Sequence, residues 1–189
     1  AGGTRPAARR LEREAVTLIP DRERYRPGDT AEVLVVAPFA PAEGVMTIER
    51  DGLLQSERFS VTDATATLKV AIEEAWLPGV WLRVELVGRQ VRDGATGAPD
   101  PSLPPRPARA SGSVTLSIST ATRELSVAAS ARARALEPGG ETTIDVVAKR
   151  ADGKPAAGVE VAVVVADEAV LSLTEYQTPA PLEAFYRMS

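Results

Sequence analysis

Most of the chain alternates apolar and polar residues with a period of two. Ala66, Leu68, Val70 and Ile72 alternate with Thr67, Lys69 and Ala71. Val80, Leu82, Val84 and Leu86 alternate with Trp81, Arg83, Glu85 and Val87, and Val114, Leu116 and Ile118 with Thr115, Ser117 and Ser119. Successive side chains of a strand point to opposite faces, so this spacing predicts strands with one buried and one wet face. Asp51-Gly52 lies between VMTIER and LLQSERFS, and Asp152-Gly153 between TTIDVVAK and GVEVAVVVA. Both residues of such a pair tolerate positive φ, which tight hairpins use. Many short strands with turns of this kind predict an all-β fold of the sandwich type.

The pattern also repeats. PGDTAEVLVVA begins at Pro27 and PGGETTIDVVA at Pro138, 111 residues apart, with Val33, Val35 and Val36 matching Ile144, Val146 and Val147. A repeat of sandwich length predicts two tandem domains of one kind. Between the copies, residues 88–112 form a Pro-rich excursion with five prolines from Pro99 to Pro107. That density argues against strand and helix and predicts an extended spacer. The expected division is a linker or cut edge at 1–13, a sandwich at 14–120 and an incomplete second domain at 121–189. The first domain would close with a strand from Gly112 to Ser119. The second would hold strands at 123–130, 141–149 and 158–166, short of the roughly seven a sandwich needs.

Composition narrows the chemistry. The 189 residues are 44% hydrophobic and 25% charged, enough to bury a core. The chain has no histidine and no cysteine. That excludes a Ser-His-Asp triad, thiol catalysis, His- or Cys-ligated zinc, disulfides and a thioester. A net charge of −4 gives no lasting attraction to nucleic acid or anionic membrane. No stretch approaches the ~20 apolar residues that span a bilayer. The start, AGGTRPAARRLERE, lacks the apolar segment of a signal peptide.

Three features are candidates for a site. VAVVVADEAVLSLTEY, from Val161 to Tyr176, ends its apolar run in Asp167 and Glu168. Adjacent residues on an extended chain face opposite ways, which argues against a catalytic carboxylate pair. Ala166, Ala169, Val170 and Leu171 add only backbone oxygens for a cation. Asp167 as an N-cap, with Glu168 at the positive end of a helix dipole, needs no further partner. Tyr25, Phe39, Phe59, Trp76 and Trp81 would make a carbohydrate platform on one exposed face, or else pack the core and edges of the sandwich. In TPAPLEAFYRMS, Thr178, Pro179 and Pro181 predict a helix start, with Leu182, Phe185 and Tyr186 as an apolar stripe. No catalytic residue, cofactor or metal is expected.

YRPGDTAEVLVVAPF, VMTIERDGLL and AVVVADEAVLSLTEYQTPAPLEAFY together resemble bacterial members of the alpha-2-macroglobulin family. The likeness runs from about Glu14 to Tyr186, and ADEAVLSLTEYQTPAPLEAFY is its most specific part. The resemblance implies tandem macroglobulin-like domains, each a fibronectin-type sandwich, in a large protease trap. In that family a protease cuts an exposed bait segment and the trap collapses; many members then bind the attacker through a thioester. The chain would hold one complete domain and the opening strands of the bait-region domain, ending before the bait. Asp167, Glu168, Pro181, Phe185 and Tyr186 would form the structural junction ahead of it. Ala166 stands where an apolar residue is usual, and Ala180-Pro181 where the family has Asp-Pro.

The resemblance further implies a fragment of a larger protein, because the thioester cysteine is absent and the bait would follow Ser189. Expected partners are target endopeptidases, engaged through the full-length protein, and neighbouring macroglobulin-like domains. Arg187 would be a bait-proximal target for a trypsin-like protease. The expected location is the periplasm, cell envelope or exterior of a bacterium. A tandem sandwich stalk or adhesion module is the rival reading, and it has no reason to contain the ADEAVL-to-AFY stretch. An unpartnered VEVAVVVA, with Glu160 its one charge, would be an edge prone to association.

Overall fold

The computed structural model describes residues 14–94, 96–133, 135–137, 139–165 and 180–187. It divides into two compact units, the first ending at Ile118 and the second starting at Ser119.

The first unit is a two-sheet sandwich. Strands β1 (Glu14–Ala15), β4 (Ala42–Glu49), β5 (Leu53–Val61), β7 (Gly79–Gln90) and β10 (Arg106–Ser117) form one sheet in the order β1-β10-β7-β4-β5. Strands β2 (Thr17–Pro20), β3 (Thr30–Val36) and β6 (Thr65–Ala71) form the other, in the order β2-β3-β6. All pairings are antiparallel except β1 with β10. With β1 and β2 as two halves of one strand, the unit has the seven strands of a fibronectin-type sandwich. Alternation sets the core. Ala31, Val33 and Val35 of β3, Leu68 and Val70 of β6, Met46 and Ile48 of β4 and Val80, Leu82, Val84 and Leu86 of β7 are buried. Their neighbours in sequence face water.

The N-terminal strand changes sheets at Val16, which is buried and donates its N–H to the Ser111 carbonyl at 3.1 Å. Gly112 makes the passage possible: a Cβ there would lie 2.2 Å from the Val16 carbonyl oxygen. The Asp51-Gly52 hairpin forms as a three-residue connection, because the register slips between Ile48 and Glu49 and brings Glu49 opposite Leu53. This bulge widens the tight turn that the dipeptide alone implied.

The Pro-rich excursion is shorter than expected, and it is not an extended spacer. The closing strand β10 starts at Arg106 rather than Gly112, and β7 runs on to Gln90 opposite it. Pro107 is accommodated because β1 reaches only Ala110 and Ser111, so β10 has an open edge at that point. Residues 91–105 fold back on themselves. β8 (Arg92–Asp93) pairs with β9 (Pro99–Asp100), Gly97 turns at φ +80°, and the Asp100 carboxylate accepts bonds from the Ser102 N–H (3.0 Å) and hydroxyl (2.6 Å).

Among the described residues the second unit holds a hairpin, β11 (Leu125–Ala131) with β12 (Ile144–Arg150), and a five-residue helix, α1 (Pro181–Phe185). The hairpin repeats β2–β3 residue for residue. Adding 111 to each member of Thr17↔Val36 and Pro20↔Val33 gives Ala128↔Val147 and Ala131↔Ile144, both present. The bond from Asp21 N–H to the Glu32 carbonyl recurs as Arg132 N–H to Thr143, and Gly28 (φ +90°) recurs as Gly139 (φ +85°). The strand expected at 158–166 is absent over its described part, 158–165. The bridge between Lys149 and Pro155 and the bond from Ala156 N–H to Ala148 come just before it, and no described residue pairs with 158–165. Its valines are open, with Val164 87% exposed.

Candidate functional site

Helix α1 begins at a proline, whose missing N–H is no loss in the first turn and whose fixed φ suits a helix. Ala180 precedes it and offers no side-chain cap; the helix ends where the Tyr186 N–H reaches the Leu182 carbonyl at 2.8 Å. Five residues are too few to hold a helix by propensity. Leu182 and Tyr186 are half-buried, whereas Phe185, expected in the same stripe, projects outward at 82% exposure. Arg187 is exposed directly after it. The structure thus groups Pro181, Phe185, Tyr186 and Arg187 in one short segment, while Asp167, Glu168, Thr178 and Pro179 lie outside the described residues.

Most aromatics of the first unit pack inward, while Trp81, between the buried Val80 and Leu82, lies on the other face of β7. Tyr25, Phe39 and Trp76 are buried, and Phe59 and Trp81 are half-buried. The Phe59 ring lies where a Cβ on Gly44 would fall, 2.6 Å away, and the Phe39 ring lies against Gly88. Charges on the outer face of the five-stranded sheet are paired: Arg109 with Glu85, and Arg83 with Glu49 at 3.6 Å. The groove of about 300 Å³ lined by Arg83, Glu85, Arg109, Ser111, Gly112 and Ser113 therefore presents compensated charge. Among the described residues no cluster of three carboxylates is placed to hold a metal ion, and no helix is long and apolar enough to cross a membrane.

One constellation was missed in the sequence. Between β2 and β3 the buried Tyr25 hydroxyl donates to Asp21 Oδ1 at 2.8 Å, and the same oxygen accepts the Glu32 N–H at 2.9 Å. Asp29 caps the following turn by accepting the Arg26 N–H (2.9 Å), and Arg22 bridges Asp21 and Asp29. The Tyr25 bond, and then the Glu32 amide, hold the Asp21 carboxyl below its ordinary range. Burial, reinforced by Asp21, pushes the Tyr25 hydroxyl up to about 12. The group pins the β2–β3 connection to the sandwich, with Tyr25 N–H donating to the Ser117 carbonyl. The sequence signal was an aromatic two residues before the Pro-Gly turn and an acid at each end of DRERYRPGD.

Comparison with known proteins places the chain in a family. The alpha-2-macroglobulin bait region domain family matches residues 16–173, a span that takes in part of each unit. Alpha-2-macroglobulin of Escherichia coli K12 is 30% identical over 173 residues, 92% of this chain and 10% of that protein. Circularly permutated Ras protein 2 of Dictyostelium discoideum is 25% identical over 90% of this chain and 4% of that protein. The cryo-EM reconstruction of native E. coli alpha-2-macroglobulin aligns with a TM-score of 0.49 at 26% identity, covering 97% of this chain and 10% of that one. The chain thus spans about a tenth of the length of the E. coli protein. With 16–173 matched, it belongs to the alpha-2-macroglobulin family, within the region of the bait region domain.

Proposed function

We propose that this chain is a structural segment of a bacterial protease inhibitor that traps its target by changing shape rather than by catalysis. The observation that carries the reading is the family match across 16–173, on a chain whose described charges serve turns and surface pairs. In this reading the second unit opens the bait-region domain. Asp167, Glu168, Pro181, Phe185 and Tyr186 form the junction before the bait, and Arg187 offers a trypsin-like protease a target at its edge. The partners are target endopeptidases and neighbouring macroglobulin-like domains, and the setting is the bacterial envelope or exterior. The segment itself turns over no substrate.

The test is limited proteolysis of the parent polypeptide with a trypsin-like endopeptidase, followed by fragment mapping and small-angle scattering. One early cut at or shortly after Arg187, with compaction and retention of the protease, is the expected result. Scattered cuts without compaction would favour a passive stalk and sink the proposal.

A further inference from the structure

The sequence holds three Asp-Gly pairs, starting at Asp51, Asp93 and Asp152. This dipeptide has a chemistry of its own. With no Cβ beside it, the glycine nitrogen can reach the side-chain carboxyl carbon of the aspartate and close a five-membered ring. Closure needs that nitrogen released from hydrogen bonding and the carboxyl free to turn, so the fold decides which pair reacts.

At two pairs the nitrogen is held. Gly94 N–H donates to Ala98 O at 2.8 Å, and a Cβ on Gly94 would lie 3.2 Å from the Asp100 Cβ, so space there is tight. Gly153 N–H donates to Arg150 O at 2.8 Å, while Asp152 Oδ1 accepts the Lys154 N–H at 3.0 Å. The first pair differs on each count. Among the described residues nothing accepts the Gly52 N–H, and the connection is closed by the bond from Arg50 N–H to Gly52 O at 3.0 Å. The Asp51 side chain is 83% exposed, and its ion pair with Arg50 spans 3.8 Å, which restrains little at a surface. A Cβ on Gly52 would meet nothing within 4 Å, and both residues border an open groove that admits water.

We propose that Asp51-Gly52 is a modification site, where aspartate converts spontaneously to isoaspartate ahead of the other two pairs. The Gly52 nitrogen attacks Asp51 Cγ. A C–N bond forms, and the carboxyl hydroxyl leaves with the amide proton as water. The cyclic imide then takes back one water. Hydrolysis between Cγ and the nitrogen restores aspartate. Hydrolysis of the original peptide bond gives isoaspartate, with the chain routed through Cβ and the α-carboxylate set free. Nothing is oxidised or reduced, and water is the co-reactant. The ladder from Ala42↔Val61 to Ile48↔Gln55 lies beyond the bulge, so the sandwich carries the longer turn without unfolding.

The test incubates the 189-residue chain at neutral pH in water enriched in heavy oxygen, then digests it in ordinary water and maps the peptides by mass spectrometry. Each passage through the imide leaves one heavy oxygen at the aspartate concerned. Asp51 should label at least about fivefold faster than Asp93 or Asp152, and its peptide should split into two chromatographic forms of equal mass. In guanidinium chloride, where the fold is lost, the three rates should agree within about twofold. A smaller lead for Asp51 in the folded chain overturns the proposal. So does a lead that persists in guanidinium, because neighbouring residues rather than the fold would then set it. The trap reading is judged by cleavage and compaction, so either idea can fail alone.

Discussion

The β2–β3 and β11–β12 hairpins share turn, register and even the bond that closes the connection, yet only one is part of a core. Val33 is 0% exposed, whereas its counterpart Ile144 is 37% exposed and Val147 51%. The difference lies in what each hairpin faces. β3 lies over the five-stranded sheet, while β11 and β12 form a two-stranded sheet alone. Local sequence therefore suffices to set a turn and a register, and burial has to be supplied by other strands. The N-terminal strands make the same point. In the first unit the chain leaves β1, pairs with β10 and crosses at Val16 to β2; in the second, β11 pairs with β12 over all seven residues. The crossover belongs to the pairing with β10 rather than to the strand.

The harshest test of this contrast is a charge placed at equivalent positions. Val33→Asp puts a carboxylate where no partner can reach it and should cost the first unit about 4 kcal/mol. Ile144→Asp meets solvent and should change stability by less than about 0.5 kcal/mol. Both tryptophans, Trp76 and Trp81, belong to the first unit, so urea unfolding followed by their fluorescence reads that unit alone. Equal shifts for the two variants would mean that the hairpins share one core.

Tyr25 separates the hairpins by pH. Its hydroxyl is raised from 10.0 to about 12, so folding favours the neutral form. That contribution is complete below pH 10 and is lost as pH rises through the folded value, about 2 to 3 kcal/mol in all. Tyr25→Phe should cost about 1 kcal/mol near neutral pH and flatten the alkaline decline of the first unit. The counterpart Leu136 has no proton to lose. An unaltered alkaline limb in the Tyr25→Phe variant would assign the decline to another group.

What the sequence disclosed follows the same division. Alternation at Val80–Leu86 and the Pro-Gly repeat are local, and they located β7, β3 and β12. The family was legible in the stretch from Ala166 to Tyr186, and the match to 16–173 bears it out. The first six residues of β10 were hidden behind Pro101–Pro107, because the open edge that tolerates Pro107 is visible only in the sheet. Val159–Val165 is a nearly continuous apolar run, with Glu160 its one polar residue, but a strand is a property of a pair, and no partner is present among the described residues. The Tyr25 anchor was missed because its bonds go to Asp21, Glu32 and Ser117, on different strands and turns.

The sheet crossing can be probed at Gly112. Gly112→Ala drives a Cβ to 2.2 Å from the Val16 carbonyl, backbone that cannot swing aside without breaking the bond from Val16 N–H to Ser111. About 2 kcal/mol of the first unit's stability should go, read by the same fluorescence transition. An unchanged midpoint would show that β1 is dispensable.

The smallest effect discriminates most finely, because it compares two residues with one backbone geometry. Gly28 and Gly139 sit at φ +90° and +85°, and a Cβ at either meets nothing within 4 Å. Alanine at each therefore brings only the strain of a left-handed backbone, about 1 kcal/mol. In the first unit that strain is trapped, since the Gly28 N–H is bonded to Ile72 and the next residue, Asp29, accepts the Ile72 N–H. Gly28→Ala should lower the fluorescence transition by the full amount. Among the described residues the Gly139 turn has the bond from Gly140 to Glu137 and can relax, so Gly139→Ala should leave that transition in place. It should instead speed amide exchange at Gly140 and Arg132 several-fold. Should Gly28→Ala prove as silent as Gly139→Ala, the ties to Ile72 do not hold the first turn, and the contrast between the two connections rests on Tyr25 alone.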